Sequence, residues 1–209
     1  MTCRTLYSLG LGVALSFSVA ACTPVGLVMG AGAATGLAAY QERGVDGVAR
    51  DLATSSRILD MYMRFDHTLL KNIGIEVYEG RAMLTGLADT ETMRADAVRL
   101  AWKADGVTDV INEIQVTSDT NLLDTARDAW VSTSLETALT FDDQILAINY
   151  AIETVAGTVY LIGIAQSDQE LDRVKNHARS LSYVKHIVSH VRVKAPASPS
   201  TQAAQVIGN

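Results

Sequence analysis

A long internal repeat is the strongest constraint that this sequence places on its fold. When the 209-residue chain is displaced by 77 positions, residues 75–116 align without a gap with residues 152–193. Two copies with so long a period predict two tandem small domains, because stacked-repeat folds need three or more shorter units. The matched positions include strand, turn and core residues: Ile75 with Ile152, Glu76 with Glu153, Gly80 with Gly157, Val107 with Val184, and Val116 with Val193.

Each copy contains the same order of predicted elements: a helix, a hairpin, a second helix and a last strand. Hydrophobic residues at helical spacing predict first helices over 48–70 and 122–139, and second helices over 91–103 and 168–181. Glycine adopts positive φ at little cost, so the hairpin turns are placed at Glu79-Gly80 and Ala156-Gly157. Thr90 and Ser167 are predicted N-caps, and Ser167 with Glu170 forms a capping-box pattern.

The last strands alternate between hydrophobic and polar residues. This order predicts an α+β fold of two tandem αββαβ modules, each with two helices packed on one face of a three-stranded sheet. Modules of about 70 residues have small cores, so packing between the two is expected to stabilise both. The strand residues predicted to point inward are Val110, Ile114 and Val116 in the first copy and Ile187, Val191 and Val193 in the second.

The N-terminus carries an export pattern. One basic residue, Arg4, precedes an apolar run over 9–21 that ends in small residues before Cys22. A charged start, a short apolar stretch and small residues indicate a signal peptide over 1–21. A cysteine at this place resembles a bacterial lipobox, which implies thioether lipidation of Cys22 and acylation of the new amino terminus, as with palmitate. An ordinary cleaved signal with a chance cysteine is the alternative.

Composition divides the rest of the chain. Residues 22–45 begin with the lipidated cysteine and form a Gly/Ala-rich tether, and residues 195–209 form a disordered tail rich in Ala, Ser and Pro. Between them lie module 1 (residues 46–118) and module 2 (residues 122–194). Beyond Cys3 and Cys22 the chain has no thiol for a disulfide or a thiolate metal site. A net charge of −6 argues against nucleic-acid binding.

The hairpins and last strands carry a family resemblance. The stretches from Gly80 to Gly86, from Gly157 to Gly163, from Gly106 to Ile114 and from Val184 to Val188 resemble the BON domain. With the lipobox and the duplication, the layout is similar to dual BON-domain outer-membrane lipoproteins of the DolP/OsmY-like group. The resemblance implies a protein in the outer membrane that faces the periplasm and supports envelope integrity, and Thr23 after the cysteine agrees with outer-membrane sorting.

The resemblance also implies a lipid-binding surface on module 2. It assigns contact with anionic phospholipid, of the phosphatidylglycerol or cardiolipin class, to Trp130 and Val131 in the first helix and to Gly163 at the end of the hairpin. Two positions depart from the family pattern. Tyr183 replaces the glycine before the last strand, and Asn176 replaces an apolar contact on the last helix.

The charge distribution independently favours the same surface. Residues 171–194 contain six basic side chains and one acidic one. Basic residues beside an interfacial tryptophan are typical of peripheral lipid binding, so Arg179 is added as a lipid-binding residue. Two alternatives remain: Trp130 as a core or inter-domain anchor, and the basic stretch as a solvated face.

No residue pattern predicts an enzyme or a cofactor site. His186 and His190 would share one strand face about 13 Å apart, which is too far for one metal ion. The matched Glu76 and Glu153 are interpreted as a structural or solvent-facing repeat, and the common catalytic motifs are absent. The predicted function is therefore non-enzymatic, with lipid binding through module 2. The alternative is a protein-interaction module that assists outer-membrane protein assembly or stress tolerance without recognising lipid.

Overall fold

A computed structural model describes residues 40–117 and 122–195, with the side chains of residues 122 and 123 excepted. The signal peptide, Cys22, the tether up to residue 39 and the tail beyond residue 195 lie outside the described residues.

Module 1 folds in the predicted αββαβ order, with one additional short helix. Its sheet has the order β1-β2-β3, in which β1 and β2 are antiparallel and β2 and β3 are parallel. Its elements are α1 (Gly44–Phe65), α2 (His67–Asn72), β1 (Ile73–Tyr78), β2 (Arg81–Ala88), α3 (Glu91–Ala101) and β3 (Asp109–Val116).

Module 2 repeats this architecture, which confirms the tandem α+β prediction. Its sheet has the order β4-β5-β6, again with an antiparallel pair followed by a parallel pair. Its elements are α4 (Leu122–Thr140), a single 3₁₀ turn (Ala147–Asn149), β4 (Tyr150–Val155), β5 (Thr158–Ala165), α5 (Asp168–Ser180) and β6 (His186–Val193).

The first helix of module 1 is shorter than predicted. Asp66 has an extended backbone (φ −160°, ψ 120°), and its carboxylate accepts a hydrogen bond from the amide of Thr68. Asp66 therefore ends α1 and caps α2, because an N-cap residue leaves the helical conformation to bind the next helix's free amides. The predicted span of 48–70 was wrong in treating these two helices as one.

Side-chain caps begin the later helices, as predicted. Thr90 accepts from the amide of Met93, and Ser167 accepts from the amide of Glu170. The capping box is only half formed. Glu170 accepts from the amides of Gln166 and Leu146 instead of turning back to Ser167, so its carboxylate joins α5 to the segment before β4.

Each module has its own hydrophobic core between its helices and one face of its sheet. Ile58 and Leu84 are central in module 1, and Leu135 and Leu161 are central in module 2. All the predicted inward strand residues except one pack on these cores. Val193 is the exception: it is the last residue of β6 and is exposed.

A third hydrophobic cluster joins the modules through the opposite faces of their sheets, which confirms the predicted packing between them. We call it the interface cluster. Strand–strand contacts link β2 with β4 and β1 with β5, so both central strands are covered on two faces. The cluster consists of Tyr78, Met83, Val155, Tyr160 and Ile162.

The segment before α1 connects the two modules. The amide of Glu42 donates to Asn149 Oδ1 in module 2, and its carboxylate lies 2.7 Å from Lys194 Nζ. The next residue, Arg43, turns to module 1 and binds Asp51 Oδ2 at 2.6 Å. The segment that leads from the N-terminus is thus attached to both modules at their junction.

Within the described ranges, none of the helices has the length and apolar character needed to cross a bilayer.

Candidate functional site

Trp130 lies on the outer side of α4 and is 52% exposed. The opposite side of this helix places Leu135 and Leu139 in the core of module 2. The repeat aligns Trp130 with Ala53 of module 1, so the exposed indole is specific to module 2. A half-exposed tryptophan offers a large apolar surface with a polar N–H, which suits the boundary between water and lipid.

Val131 does not share this surface. Its side chain is completely buried and packs in the core of module 2 with Leu135. Successive residues of a helix point about 100° apart, so an outward Trp130 turns Val131 toward the sheet. The structure therefore places the two neighbours on different sides of α4, and Val131 supports the helix that presents Trp130.

A cationic group surrounds Tyr183 near the N-terminal part of α4. The Arg127 guanidinium lies 5.5 Å from the centre of the Tyr183 ring, and Lys185 Nζ lies 5.2 Å from it. The Tyr183 hydroxyl donates to Asp124 Oδ1 at 3.0 Å. Arg127 precedes Trp130 by three residues and therefore shares its helix face. Exposed cations and an exposed indole thus meet on one end of module 2.

Tyr183 keeps the backbone conformation of the glycine that it replaces. Its φ is +83°, and the matched Gly106 of module 1 has φ +98°. A bulky residue in this region is strained, and the surrounding structure must hold it there. The two cations and Asp124 supply those contacts, so the departure from the family pattern leaves the path of the loop unchanged.

Gly163 is enclosed within module 2. A Cβ at this position would lie 1.9 Å from the carbonyl oxygen of Asn149 and 3.1 Å from Cα of Tyr150. Its match Gly86 makes the same approach in module 1, 2.0 Å from the carbonyl oxygen of Asn72. The repeat of this contact in both modules gives Gly163 a packing role that needs no ligand.

Arg179 is exposed at the end of α5, where it donates to Asn176 Oδ1 at 2.7 Å. Half of the basic stretch has other partners. Arg173 pairs with Asp142, while Arg192 and Lys194 pair with Glu79 and Glu42 respectively. Among the described residues of this stretch, Lys175, Arg179 and Lys185 have no ion-pair partner, whereas Arg127 of α4 pairs with Asp124 at 3.2 Å.

Two aspartates hold the hairpin turns, a role that the sequence did not predict. Asp51 accepts from the amides of Glu79 and Gly80 at 2.8 and 2.9 Å. The matched Asp128 accepts from Ala156 and Gly157 at 2.7 and 2.8 Å. The sequence did contain a signal for this role, because the two aspartates are 77 residues apart, the same distance as the repeat. Both aspartates lie before the aligned segments, which begin at residues 75 and 152.

The matched glutamates lie at the interface between the modules. Glu76 is directly opposite Met83 across the β1–β2 pair, and Glu153 is opposite Tyr160 across the β4–β5 pair. Both partners belong to the interface cluster. Burial raises the pKa of Glu76 and that of Glu153 to about 7. Of the two interpretations, a structural or a solvent-facing repeat, the structure favours the first, because the other module partly covers these strand faces.

The histidines do not form a metal site. His190 Nε2 lies 2.7 Å from Glu113 Oε1 of module 1, while His186 is exposed at the start of β6. No group of three potential ligands occurs among residues 40–117 and 122–195. A polar cleft of about 500 Å³ between the end of α4 and α5 is lined by Asp143, Arg173 and Asn176, and Trp130 is not part of it.

The sequence matches the family model for the BON domain twice, over residues 63–118 and 127–195. Three relatives agree with this match. A protein encoded in the gshII 5′ region of Anaplasma centrale is 39% identical over 131 residues, which cover 62% of this chain and 87% of that protein. The outer membrane lipoprotein DolP of Haemophilus influenzae is 25% identical over 111 residues, 53% of this chain and 57% of the relative.

The osmotically inducible protein Y of Escherichia coli is 25% identical over 133 residues, which cover 62% of this chain and 66% of that protein. The aligned region thus spans 87% of the Anaplasma protein, 57% of the Haemophilus protein and 66% of the Escherichia protein.

Proposed function

This chain belongs to the BON domain family, and we propose that it is a non-enzymatic envelope lipoprotein whose second module binds anionic phospholipid. In this proposal Cys22 carries the lipid anchor in the outer membrane, and the two modules face the periplasm. One relative supports this compartment, because it is named an outer membrane lipoprotein.

The observation that carries the proposal is the exposed Trp130 beside a cationic group on module 2. Indole burial in the interfacial region supplies apolar contact, and each basic residue near an anionic surface adds about 1 kcal/mol at moderate salt. Arg127, Arg179 and Lys185 are the proposed partners of the lipid phosphates. Gly163 and Val131 support the surface from inside the module.

Module 1 provides a matched control for this surface. Trp102 at the end of α3 is 52% exposed, the same fraction as Trp130. Module 1 has a larger excess of acidic over basic residues than module 2, so an anionic bilayer repels module 1 more strongly. If any exposed tryptophan could bind lipid, Trp102 and Trp130 would contribute equally. In the proposed site only Trp130 of these two tryptophans contributes.

We expect Trp130→Ala to reduce flotation with vesicles that contain phosphatidylglycerol or cardiolipin by roughly tenfold, because a partly buried aromatic side chain contributes about 1.5 kcal/mol. The measurement uses residues 23–209, which retain every described residue and lack the lipid anchor. Arg179→Glu should also weaken binding, and more so at low salt. Trp102→Ala should bind as the unmodified chain does. Unchanged binding of both Trp130→Ala and Arg179→Glu would reject the proposed surface.

A protein-interaction role is the second candidate, and the exposed aromatic residues of module 1 favour it. Phe65 at the end of α1 is half exposed beneath the Arg99 guanidinium, and Trp102 lies on the neighbouring helix. Aromatic and arginine side chains dominate the energetics of many protein interfaces. Under this alternative, residues 23–209 do not float with anionic vesicles, and an envelope protein such as an assembly factor crosslinks to module 1.

A further inference from the structure

Two carboxylates lie at the packed interface between the modules. Glu76 of β1 and Glu153 of β4 are on the sheet faces that form the interface cluster, and both side chains are partly buried. A third carboxylate, Glu136 of α4, acts electrostatically on both of them. Within residues 40–117 and 122–195 neither the Glu76 nor the Glu153 carboxylate has a hydrogen-bond or ion-pair partner. A carboxylate that is shielded from water and lacks such partners is more stable in its neutral, protonated form.

We propose that the interface between the two modules is an acid-strengthened joint, in which protonation of Glu76 and Glu153 tightens the packing of the two sheets and their ionisation loosens it. This inference concerns the fold of the protein itself and does not depend on lipid binding.

The charges around the two glutamates agree with this assignment. Arg43 is the cation that faces Glu76, and it is already bound to Asp51 at 2.6 Å. The charged groups that act on Glu153 are Glu76, Glu136 and Asp128, all of which are acidic. The ionisable side chains of the interface cluster itself are the phenols of Tyr78 and Tyr160, whose pKa values burial raises further above neutrality. Acidic neighbours therefore outnumber basic ones, and ionisation of both glutamates adds repulsion between the modules.

The direction of the pH effect follows from the two states of each glutamate. Burial holds the pKa of Glu76 and of Glu153 near 7 in the folded protein, whereas an unfolded glutamate titrates near its ordinary value of about 4.3. Between these values the folded state binds more protons, so stability falls as the pH rises from about 4.5 to about 7. The joint is tightest at the acidic end of this window.

Other contacts across the interface join the outer strands and the segment before α1. His190 Nε2 of β6 and Glu113 Oε1 of β3 are 2.7 Å apart. Two further ion pairs cross between the modules, Arg192 with Glu79 and Lys194 with Glu42. They hold the modules near each other while the central packing loosens.

Through this joint, pH would control how the start of the described chain and module 2 are arranged relative to each other. Glu42 and Arg43, at the start of the described chain, are attached at the junction of the modules, and Trp130 lies on module 2. Loosening the interface changes how module 2 sits relative to the segment that leads to Cys22. The periplasm is open to small solutes, so in that compartment the joint would respond to external acid.

The test combines isosteric substitution with two readouts on residues 23–209. Glu76→Gln/Glu153→Gln mimics the protonated state and keeps the side-chain size. We expect the unmodified protein to melt about 5 °C or more higher at pH 5 than at pH 7.5, and the double variant to lose most of that difference by melting higher at pH 7.5. Glu91→Gln, which alters an exposed glutamate of α3, is the matched control and should retain the full difference.

A distance measurement separates the joint from general stability. The segment 23–209 contains no cysteine, so Ser56→Cys on α1 and Thr137→Cys on α4 can carry a pair of spin labels. The label distances should broaden from pH 5 to pH 7.5 in the otherwise unmodified chain and stay narrow in the double glutamine variant. Equal melting temperatures and equal distances at the two pH values, or a pH response that survives the double substitution, would overturn the proposal.

Discussion

Replacing Gly163 by alanine is expected to destabilise module 2 by about 3 to 5 kcal/mol. The added Cβ would lie 1.9 Å from the carbonyl oxygen of Asn149. Both contacting groups are backbone, Asn149 is fully buried, and φ at Gly163 is +147°, where L-residues are rare. Neither strand can move away without breaking the antiparallel pairing of Tyr150 with Gly163.

Urea unfolding of residues 23–209 measures this cost, and Gly44→Ala provides the control. Gly44 also has positive φ (+64°), but a Cβ there meets nothing within 4 Å. Its substitution should cost only about 1 kcal/mol, the usual penalty for a non-glycine residue in this region. A Gly163→Ala protein with nearly unchanged stability and lost vesicle binding would instead assign Gly163 to the lipid contact.

Local signals in the sequence were sufficient to predict most of each module. Turn glycines, N-cap residues and alternating strands act over a few residues, so Thr90, Ser167 and the two hairpin turns occur where they were predicted. The boundary at Asp66 was missed because a short helix that follows directly after another preserves the hydrophobic spacing. Val131 was assigned to the surface by resemblance, although the helical period separates it from Trp130.

The interface between the modules could not be predicted from the repeat alone. Its ion pairs join residues that are far apart in sequence, such as Glu113 with His190 and Glu79 with Arg192. One signal was present: Val159 to Ile162 is a continuous apolar run, which is typical of a strand buried on both faces. The same packing between the modules explains why Glu153, on the adjacent strand, is partly covered and why Arg192 and Lys194 have acidic partners outside module 2.

Removing the carboxylate of Asp128 is expected to release the β4–β5 turn. In Asp128→Ala the amides of Ala156 and Gly157 lose their hydrogen-bond acceptor. Both residues have positive φ, and the turn by itself contributes little stability. Two hydrogen bonds to a charged acceptor contribute about 3 kcal/mol together. Urea unfolding and hydrogen exchange at these two amides measure the loss, with Asp172→Ala, an exposed substitution on α5, as the control.

The matched Asp51→Ala variant should be the more damaging of the two, and the comparison tests the role assigned to both aspartates. Asp51 holds the same two turn amides and also binds Arg43, which packs 4.3 Å from the centre of the Tyr78 ring. Its loss leaves a mostly buried guanidinium without its carboxylate, and such an unpaired charge costs more than the hydrogen bonds alone. Equal costs for the two substitutions would mean that Arg43 stabilises the junction without Asp51, through Val77 and Tyr78. Unchanged hydrogen-exchange protection of the turn amides in both variants would mean that the turns are stable without the aspartates.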